Sequence, residues 1–476
     1  MLDHPAAWIG AIIAILCLQL ALIITHRPWL DEWQAVLISI QTTDFTALFE
    51  QLRYEGHPPL WFFLLRSLSV IAGSPEQTLI LANLFYAAVG SFLILRFCPF
   101  PRLERLLLLT SEILLIEYFS LSRSLGLGAM LFFWALAAWR SRWVWLPIAL
   151  LPTCDFLFGI LSIILILFHF RDHRTRFGPV GLLLWLSLSI IAAWSVRPAV
   201  DVVSDPPYAG LFGFLRFLQQ LGMNILPWQM IDGEPAWNGT PPAFLGILFA
   251  PLFVLLCWRV TRSDKVATVL LLGFVLFLGY FTLFVYPLYF RHTSVAALLL
   301  IGIAWLRAGK DAPLPREVTL WLAILSVTGI LTAGFMLTRP FDTGREAVAL
   351  IQARGLVDKP WYGFPAYRAI TLAGESRMPF GDLETGCTSS FRRWNKRTAI
   401  HNRQQFLAQL RKREELAGSF YLVTGFDLKS PPPVLMRRIA YVAPGYDALK
   451  YYLWEIGGNA PAKAVPKPCV SGLRSF

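Results

Sequence analysis

The residues best suited to chemistry follow directly on the first apolar stretch of the chain. Asp31 and Glu32 come shortly after the apolar residues 8–25, and Glu55 and His57 close the same polar segment. A carboxylate can take a proton from a hydroxyl group, and a histidine can orient an acid or contact phosphate. Acidic side chains this close to a membrane exit indicate a functional site.

Two later segments carry the same kinds of side chain. Glu117 and Arg123 flank the end of one apolar stretch, and the run Tyr289-Phe290-Arg291-His292 precedes another. The guanidinium group of arginine binds phosphate oxygens bidentately and stays charged in a partly dry site. These residues together could exchange protons and bind an anionic group.

Each motif also has a simpler interpretation. Asp31 and Glu32 could be the favourable negative charges at the start of a helix near Trp33. His57 could cap a helix that ends before the two following prolines. Glu117 and Arg123 could form an interfacial ion pair. The site interpretation is favoured because all these residues are expected on one side of the membrane.

Composition places the chain among polytopic membrane proteins. Of its 476 residues, 56% are hydrophobic and only 15% charged, and the mean hydropathy is +0.55. These values exclude an ordinary soluble domain, and the long continuous apolar stretches favour helices over a β-barrel. The first stretch lacks a basic leader and a small-residue cleavage site, so we expect a retained helix.

The sequence predicts an all-α bundle of about eleven transmembrane helices followed by a small soluble α/β or α+β domain. The domains are expected at 1–336, with the first external loop at 26–77, and at 337–476. The predicted spans are 8–25, 78–95, 106–118, 125–139, 143–154, 156–170, 179–196, 243–258, 266–285, 293–306 and 318–336.

Lys and Arg placement predicts the orientation. Alternate connections are basic and should be cytoplasmic, namely those at 96–105, 140–142, 171–176, 259–265 and 307–316. The candidate site residues and everything after residue 337 then face outward. The apolar segment Leu60 to Gly73 would invert this order if it crossed the membrane. We therefore expect an interfacial helix there, with Arg66 reaching for lipid head groups.

The region after residue 336 differs in composition. It holds half of the chain's 42 Lys and Arg residues, and the apolar runs Phe420 to Thr424 and Ile439 to Val442 are typical of strands, whereas Arg403 to Ala417 is typical of a helix. Its basic surface could meet phosphorylated lipid or an acidic glycan, or be merely solvated. Cys387 and Cys469 would pair in an oxidising compartment and otherwise remain thiols.

In its order of motifs the chain resembles the GT-C superfamily of polyprenyl-phosphate-sugar-dependent glycosyltransferases. The resemblance is to protein mannosyltransferases and to the bacterial 4-amino-arabinose lipid A transferase group. Asp31-Glu32 resemble the acidic pair of the family's first external loop, and Gly56 to Leu60 resemble its His-Pro-Pro-Leu motif. Glu117 with Arg123 and the segment Tyr289 to His292 are similar to later external motifs. Leu125 replaces an expected aromatic residue, and Thr153-Cys154-Asp155-Phe156 lacks the family's histidine.

The resemblance implies sugar transfer from a polyprenyl-phosphate donor to a hydroxyl group on the outer face of a bacterial-type inner membrane, with inversion. It implies that Asp31 is the base, with Glu32 and Glu117 as further catalytic candidates. Donor-phosphate candidates are His57, Arg123, Arg291 and His292, and acceptor or supporting candidates are Glu55 and Tyr289.

Several points stay open at the level of sequence. The acceptor could be a glycan, a lipid or a protein, and a divalent cation is a candidate cofactor without a defined site. No motif for nucleic acid accompanies the basic charge. The competing hypotheses are a transporter or flippase for a lipid-linked glycan, which would place polar groups near the bilayer midplane, and a non-enzymatic assembly protein that displays the C-terminal domain.

Overall fold

The computed structural model describes most of the chain. The described residues are 4–173, 178–203, 207, 210–311, 313–395, 400, 402–428, 436–457, 467–470 and 473–474. Part of the basic connection at 171–176 and part of the C-terminal region lie outside them.

The first part of the chain is helical almost throughout. Its helices, in chain order, are α1 Pro5–Thr25, α2 Leu30–Gln41, α3 Phe45–Glu55, α4 Leu60–Leu68, α5 Pro75–Phe97, α6 Arg102–Leu109, α7 Ser124–Ala137, α8 Trp145–Leu150, α9 Phe156–Asp172, α10 Pro179–Ser195, α11 Gly210–Gly222, α12 Ala243–Thr261, α13 Lys265–Phe284, α14 Phe290–Arg307 and α15 Arg316–Thr338.

The apolar stretches predicted as spans are helical, but they differ in length. Among the described residues, six helices are long and apolar enough to cross a membrane, namely α1, α5, α12, α13, α14 and α15. The exposed faces of these helices are apolar, as with Ile9 and Ile13 on α1 and Leu276 on α13. Apolar surface of this kind is unfavourable in water, so these helix faces contact lipid. The prediction of a polytopic membrane bundle is confirmed.

Two predicted spans are interrupted. The span at 106–118 is split into α6 and a π-helix at Glu112–Tyr118. The span at 143–154 consists of the short α8 between two 3-10 turns, Arg142–Val144 and Leu151–Thr153. Pro152 in the second turn has no N–H to continue an α-helix. Irregular helix of this kind often occurs at functional sites.

The π-helix is held by a close approach of α15. A Cβ atom at Gly329 would lie 2.2 Å from the carbonyl oxygen of Thr110 and 2.6 Å from the backbone nitrogen of Glu112. Only glycine permits this contact. The side chain of Ser111 accepts a hydrogen bond from the Leu114 N–H at the start of the π-helix.

The segment from Leu60 forms the nine-residue α4, which is too short to cross a bilayer. It packs against α2 and α5. Arg66, expected to reach lipid head groups, donates instead to the backbone carbonyls of Thr42 and Asp44. The guanidinium of Arg66 thus fixes the turn between α2 and α3.

The C-terminal region forms a layered α/β unit. A hairpin of β1 Met230–Ile231 and β2 Glu234–Pro235 precedes it in the chain. The unit contains α16 Gly344–Ala353, β3 Trp361–Phe364, α17 Ile370–Ser376, β4 Phe380–Asp382, β5 Thr388–Ser389, α18 Arg403–Ala417, β6 Phe420–Thr424, β7 Met436–Val442 and β8 Tyr451–Ile456.

The strand order of the described sheet is β5-β4-β3-β6-β8-β7, with β3 parallel to β4 and β6 and the other pairs antiparallel. Helices α16 and α17 cover one face, and α18 covers the other with Phe406 and Leu410. The predicted strand at Phe420 to Thr424 and the predicted helix at Arg403 to Ala417 match β6 and α18. A small α/β unit is therefore confirmed.

The helical bundle and the α/β unit share apolar contacts. Phe341, Ile370 and Tyr446 belong to the same buried cluster as the bundle helices. A Cβ atom at Gly374 in α17 would lie 2.3 Å from the ring of Trp33 in α2, so these two helices pack closely. The division into two domains at residues 336 and 337 stays a prediction.

Candidate active site

The start of α2 carries two neighbouring carboxylates in very different surroundings. Glu32 is fully buried, and its Oε2 lies 2.7 Å from His26 Nε2 and accepts a hydrogen bond of 3.0 Å from the Trp29 N–H. Its Oε1 accepts from the backbone N–H of Ser122. Glu32 therefore joins the entry of α2 to the loop before α7.

Asp31 is the accessible member of the pair, with a side chain that is 32% exposed. Its Oδ2 lies 3.0 Å from Nη2 of Arg123, which is the residue before α7. The Arg123 guanidinium lies 5.5 Å from the ring of Trp29. Within the described residues, Nη1 of Arg123 is buried and has no hydrogen-bond partner. Arg123 can thus donate a hydrogen bond to a second anionic group.

A second carboxylate and a second arginine lie opposite. Glu117, in the π-helix, is buried and accepts a hydrogen bond of 2.9 Å from Trp237 Nε1 and one of 3.4 Å from Gln229. Arg291, in the first turn of α14, lies over the rings of Trp237 and Tyr289 at 5.4 and 4.9 Å. The aromatic faces attract and restrict the guanidinium.

The hydrogen bonding of Arg291 leaves part of its donor capacity unused. Its Nη1 donates to Oδ1 of Asn238 at 3.3 Å, and its Nε is buried without a partner among the described residues. Arg291 is within electrostatic range of Asp31, Arg123 and Glu117. The structure therefore brings together residues that are up to 260 positions apart, from Asp31 to Arg291.

The two histidines occupy different positions. His57 is 37% exposed, and its Nδ1 lies 3.5 Å from Oδ2 of Asp155, which also accepts from the Leu157 N–H at the start of α9. His292 is buried, and its Nδ1 accepts a hydrogen bond of 3.1 Å from the Tyr289 N–H. His292 thus caps α14, whereas His57 is open to a ligand.

Glu55 lies at the end of α3, in the external loop. Its Oε1 accepts a hydrogen bond of 2.7 Å from Gln34 Nε2. The pKa of Glu55 is raised to about 8, chiefly by burial; the hydrogen bond from Gln34 opposes the rise, and the nearby charge of Asp31 adds to it. Glu55 is therefore largely protonated at neutral pH and can donate as well as accept a hydrogen bond.

Comparison with solved structures places this arrangement in a known fold. The crystal structure of ArnT from Cupriavidus metallidurans in the apo state matches with a TM-score of 0.54 and 14% identity, covering 94% of this chain and 98% of that chain. The structure of the same protein bound to undecaprenyl phosphate matches with a TM-score of 0.52 and 12% identity, covering 95% and 98%.

The chain has an ArnT-like fold. The fold predicted from the GT-C resemblance is therefore confirmed over nearly the whole chain. Scans with family models and against curated proteins gave no match.

In this ArnT-like fold the nine predicted site residues converge on one end of the bundle. Sequence reasoning missed several of their partners, namely Gln34, Asp155, Gln229, Trp237 and Asn238. Trp237 and Asn238 follow α11 and the β1–β2 hairpin in the long connection at 197–242, where no motif marks them. Asp155 could have been found from its position, because it lies on the same predicted side as His57.

Glu112 is a further buried carboxylate near the site. Its Oε1 accepts a hydrogen bond of 3.0 Å from Gln229, which also contacts Glu117. Glu112 could have been found from the sequence, because it lies within the predicted span 106–118 and an acidic residue within a span usually has a function.

The carboxylates and histidines of the candidate site are dispersed. Among the described residues, no group of three His, Cys, Asp or Glu side chains could hold a metal ion. Each carboxylate has its own protein partner, as with Arg123 for Asp31 and Trp237 for Glu117.

Proposed function

We propose that the protein is an integral-membrane glycosyltransferase that moves a sugar from a polyprenyl-phosphate donor to an acceptor hydroxyl group. The observation that carries this proposal is the accessible Asp31 carboxylate held beside Arg123, with Arg291 in electrostatic range. Such a site contains a base and two cations at one end of an ArnT-like bundle. ArnT itself has been solved with undecaprenyl phosphate bound.

Asp31 is the proposed base. Its carboxylate takes the proton of the acceptor hydroxyl group while the hydroxyl oxygen attacks the anomeric carbon of the sugar. The bond between that carbon and the phosphate oxygen breaks, and the phosphate leaves with the bonding electron pair. Attack from the face opposite the phosphate inverts the anomeric carbon. Asp31 then returns its proton to water.

Arg123 and Arg291 are the proposed phosphate-binding residues. Each has a buried guanidinium nitrogen without a partner among the described residues, and each lies over aromatic rings that limit its motion. Preorganised cations of this kind stabilise the negative charge that develops on a leaving phosphate. Binding of phosphate by Arg123 would also weaken its pairing with Asp31, which leaves the carboxylate free to act as base.

The remaining site residues support these three. We assign His57 to the donor phosphate or the acceptor, because it is exposed and its Nδ1 lies 3.5 Å from the Asp155 carboxylate. Glu32, Glu117 and His292 are buried, so we assign them to hold Asp31 and the two arginines in place. Tyr289 restrains Arg291, and Glu55 supports the acceptor side. Although proposed from the sequence as direct participants, the buried residues act through their neighbours.

The proposal includes an orientation in the membrane. With basic connections in the cytoplasm, the site and the C-terminal region lie on the outer face of a bacterial-type inner membrane. The Cys387–Cys469 disulfide suits an oxidising compartment. Labelling of single cysteines introduced at surface positions, with an impermeant thiol reagent, tests this orientation.

Mass spectrometry of envelope glycolipids and glycans tests the function. Cells that lack the protein should lose one sugar modification, which the wild-type gene restores and the Asp31→Asn variant does not. An unchanged set of glycans would contradict the proposal. Transport of a lipid-linked glycan across vesicles without sugar transfer would favour the flippase hypothesis instead.

A further inference from the structure

An irregular segment of the C-terminal region contacts the helix that carries Asp31. We call residues 389–395 the strap. It begins at the last residue of β5 and passes α2 on the side of Gln34 and Gln41. At its far end Trp394 accepts a hydrogen bond of 2.9 Å from the Val203 N–H. The strap thus joins the external loops to the α/β unit.

Gln34 uses both ends of its amide on the strap. Its Nε2 donates to the carbonyl oxygen of Arg392 at 2.6 Å, and its Oε1 accepts from the Arg392 N–H at 2.9 Å. This reciprocal pair resembles the pairing of two backbone segments and fixes the amide in the plane of the strap. The residue is only 3% exposed, so the pair is shielded from water.

The Gln34 amide also contacts the segment that leads to His57. Nε2 of Gln34 also donates to Oε1 of Glu55 at 2.7 Å, and Glu55 immediately precedes the turn to His57. Gln34 lies three positions after Asp31, hence on the same face of α2. One side chain therefore connects the strap, the helix of Asp31 and the loop of His57.

The far end of α2 is attached to the C-terminal segment as well. Ser390 in the strap donates to Oε1 of Gln41, and the Arg474 N–H donates to the Gln41 carbonyl at 2.8 Å. Thr42 and Leu473 form an isolated antiparallel bridge. Helix α2 is thus held at two points, one near each end.

A disulfide links the two C-terminal segments that contact α2. Cys387, just before the strap, is bonded to Cys469, just before the terminal segment that contacts α2. Backbone hydrogen bonds of 2.8 Å run from Thr388 to Lys467 and from Cys469 to Thr388 beside it. The disulfide therefore ties together the two segments that hold α2, which are 82 residues apart in sequence.

We propose that Gln34 is a positioning residue through which the disulfide-closed strap sets the placement of Asp31 and His57. The inference rests on the proposed function, because it assigns the C-terminal region a part in sugar transfer. Gln34 itself contacts neither substrate nor leaving group in this account. Its amide fixes the geometry between the base on α2 and the loop that faces it.

The direct test compares Gln34→Met with wild type in lipid nanodiscs. Methionine keeps the length and volume of the side chain but cannot form the three hydrogen bonds. With a polyprenyl-phosphate sugar as donor, we expect kcat to fall on the order of tenfold with the donor KM unchanged, since a small misplacement of reacting groups is costly. A Gln34→Met variant with wild-type kcat would overturn the proposal.

Gln19→Met is the matched control. Gln19 is a buried amide on α1 that accepts from Ser91, far from the strap in the fold. We expect this variant to retain wild-type kcat. An equal loss in both variants would show that any buried amide matters, which contradicts a specific role for Gln34.

A double-mutant cycle tests whether the disulfide acts through Gln34. The pair Cys387→Ser with Cys469→Ser should lower kcat, and adding Gln34→Met should change it by less than about twofold, because both changes interrupt the same connection. Multiplicative losses would contradict the connection.

Hydrogen exchange separates this inference from the proposed function. Gln34→Met and the cysteine pair should each speed amide exchange in α2 and around His57, whereas Gln19→Met should not. Unchanged exchange in these segments would overturn the positioning role, whatever the activity. Absence of sugar transfer by the wild-type protein, with exchange altered as expected, would count against the function alone.

Discussion

The charged groups of the candidate site differ between its two sides. We call Asp31 and Arg123 the near wall, and Glu117 and Arg291 the far wall. On the near wall, Asp31 and Arg123 form an ion pair that is partly open to solvent. On the far wall, Oε1 of Glu117 accepts hydrogen bonds from the neutral donors Trp237 and Gln229, and Arg291 forms no ion pair among the residues that the structure describes. On the near wall the carboxylate that we propose as the base is thus already paired with a cation, whereas on the far wall Arg291 has no carboxylate partner among the described residues.

The largest effect should come from the near wall. Asp31→Asn keeps the size of the side chain but removes the base, so we expect kcat to fall by about 10²- to 10⁴-fold with little change in thermal stability. Sugar transfer and unfolding temperature should both be measured. Asp44→Asn is the control, since the Asp44 side chain accepts hydrogen bonds from the Ala47 N–H at the start of α3 and from the Thr43 hydroxyl. Full activity of Asp31→Asn would remove the base assignment.

A smaller effect should come from the far wall, and on a different parameter. Arg291→Gln removes a cation from the phosphate-binding side, so kcat/KM for the donor should fall by about 10²-fold, with a rise in donor KM. Arg259→Gln, at an exposed ion pair with Glu317 on another helix end, should have no such effect. If Arg291→Gln lowered only kcat, as expected for Asp31→Asn, the two walls would not have the different roles proposed for them.

Glu32 should affect stability more than chemistry. Its buried carboxylate accepts hydrogen bonds from the backbone of Trp29 and Ser122 and contacts His26. Glu32→Gln leaves at least one donor without an acceptor, which should cost about 1–3 kcal/mol of unfolding free energy. Thermal unfolding in detergent measures this loss. A variant as stable as wild type but without activity would instead make Glu32 a direct participant.

The smallest effect should be a change in pH dependence at Glu55. Because its pKa is raised from 4.5 to about 8 in the folded protein, the folded state binds the proton more tightly. The protein should therefore lose stability as the pH rises from near 4.5 through about 8. Glu55→Gln should flatten that dependence between about pH 4.5 and pH 8. An identical pH profile in the variant would show that burial at Glu55 does not favour the neutral acid.

The comparison of the two walls also marks what the sequence could reveal. Asp31, Glu32 and His57 were predictable because charged residues next to an apolar stretch stand out against the low charge of the chain. The far wall was only half predictable. Arg291 precedes a span, but Trp237 and Asn238 come from a long connection whose path depends on tertiary packing.

The same limit applies to the helices and to the strap. The apolar stretches predicted helices at the right places, but the break at Thr110 depends on packing, as the contact of Gly329 with Thr110 shows. Likewise α18 and β6 follow local patterns. The pairing of Gln34 with Arg392 joins positions 358 residues apart, and no local pattern encodes it.

The most direct test of the central claim is the binding of undecaprenyl phosphate, measured by native mass spectrometry of the protein in nanodiscs. The claim is that Arg123 and Arg291 hold the donor phosphate while Asp31 does the chemistry. Wild type and Asp31→Asn should both bind the lipid, and the double variant Arg123→Gln with Arg291→Gln should lose it. Equal binding by wild type and the double variant would contradict the account.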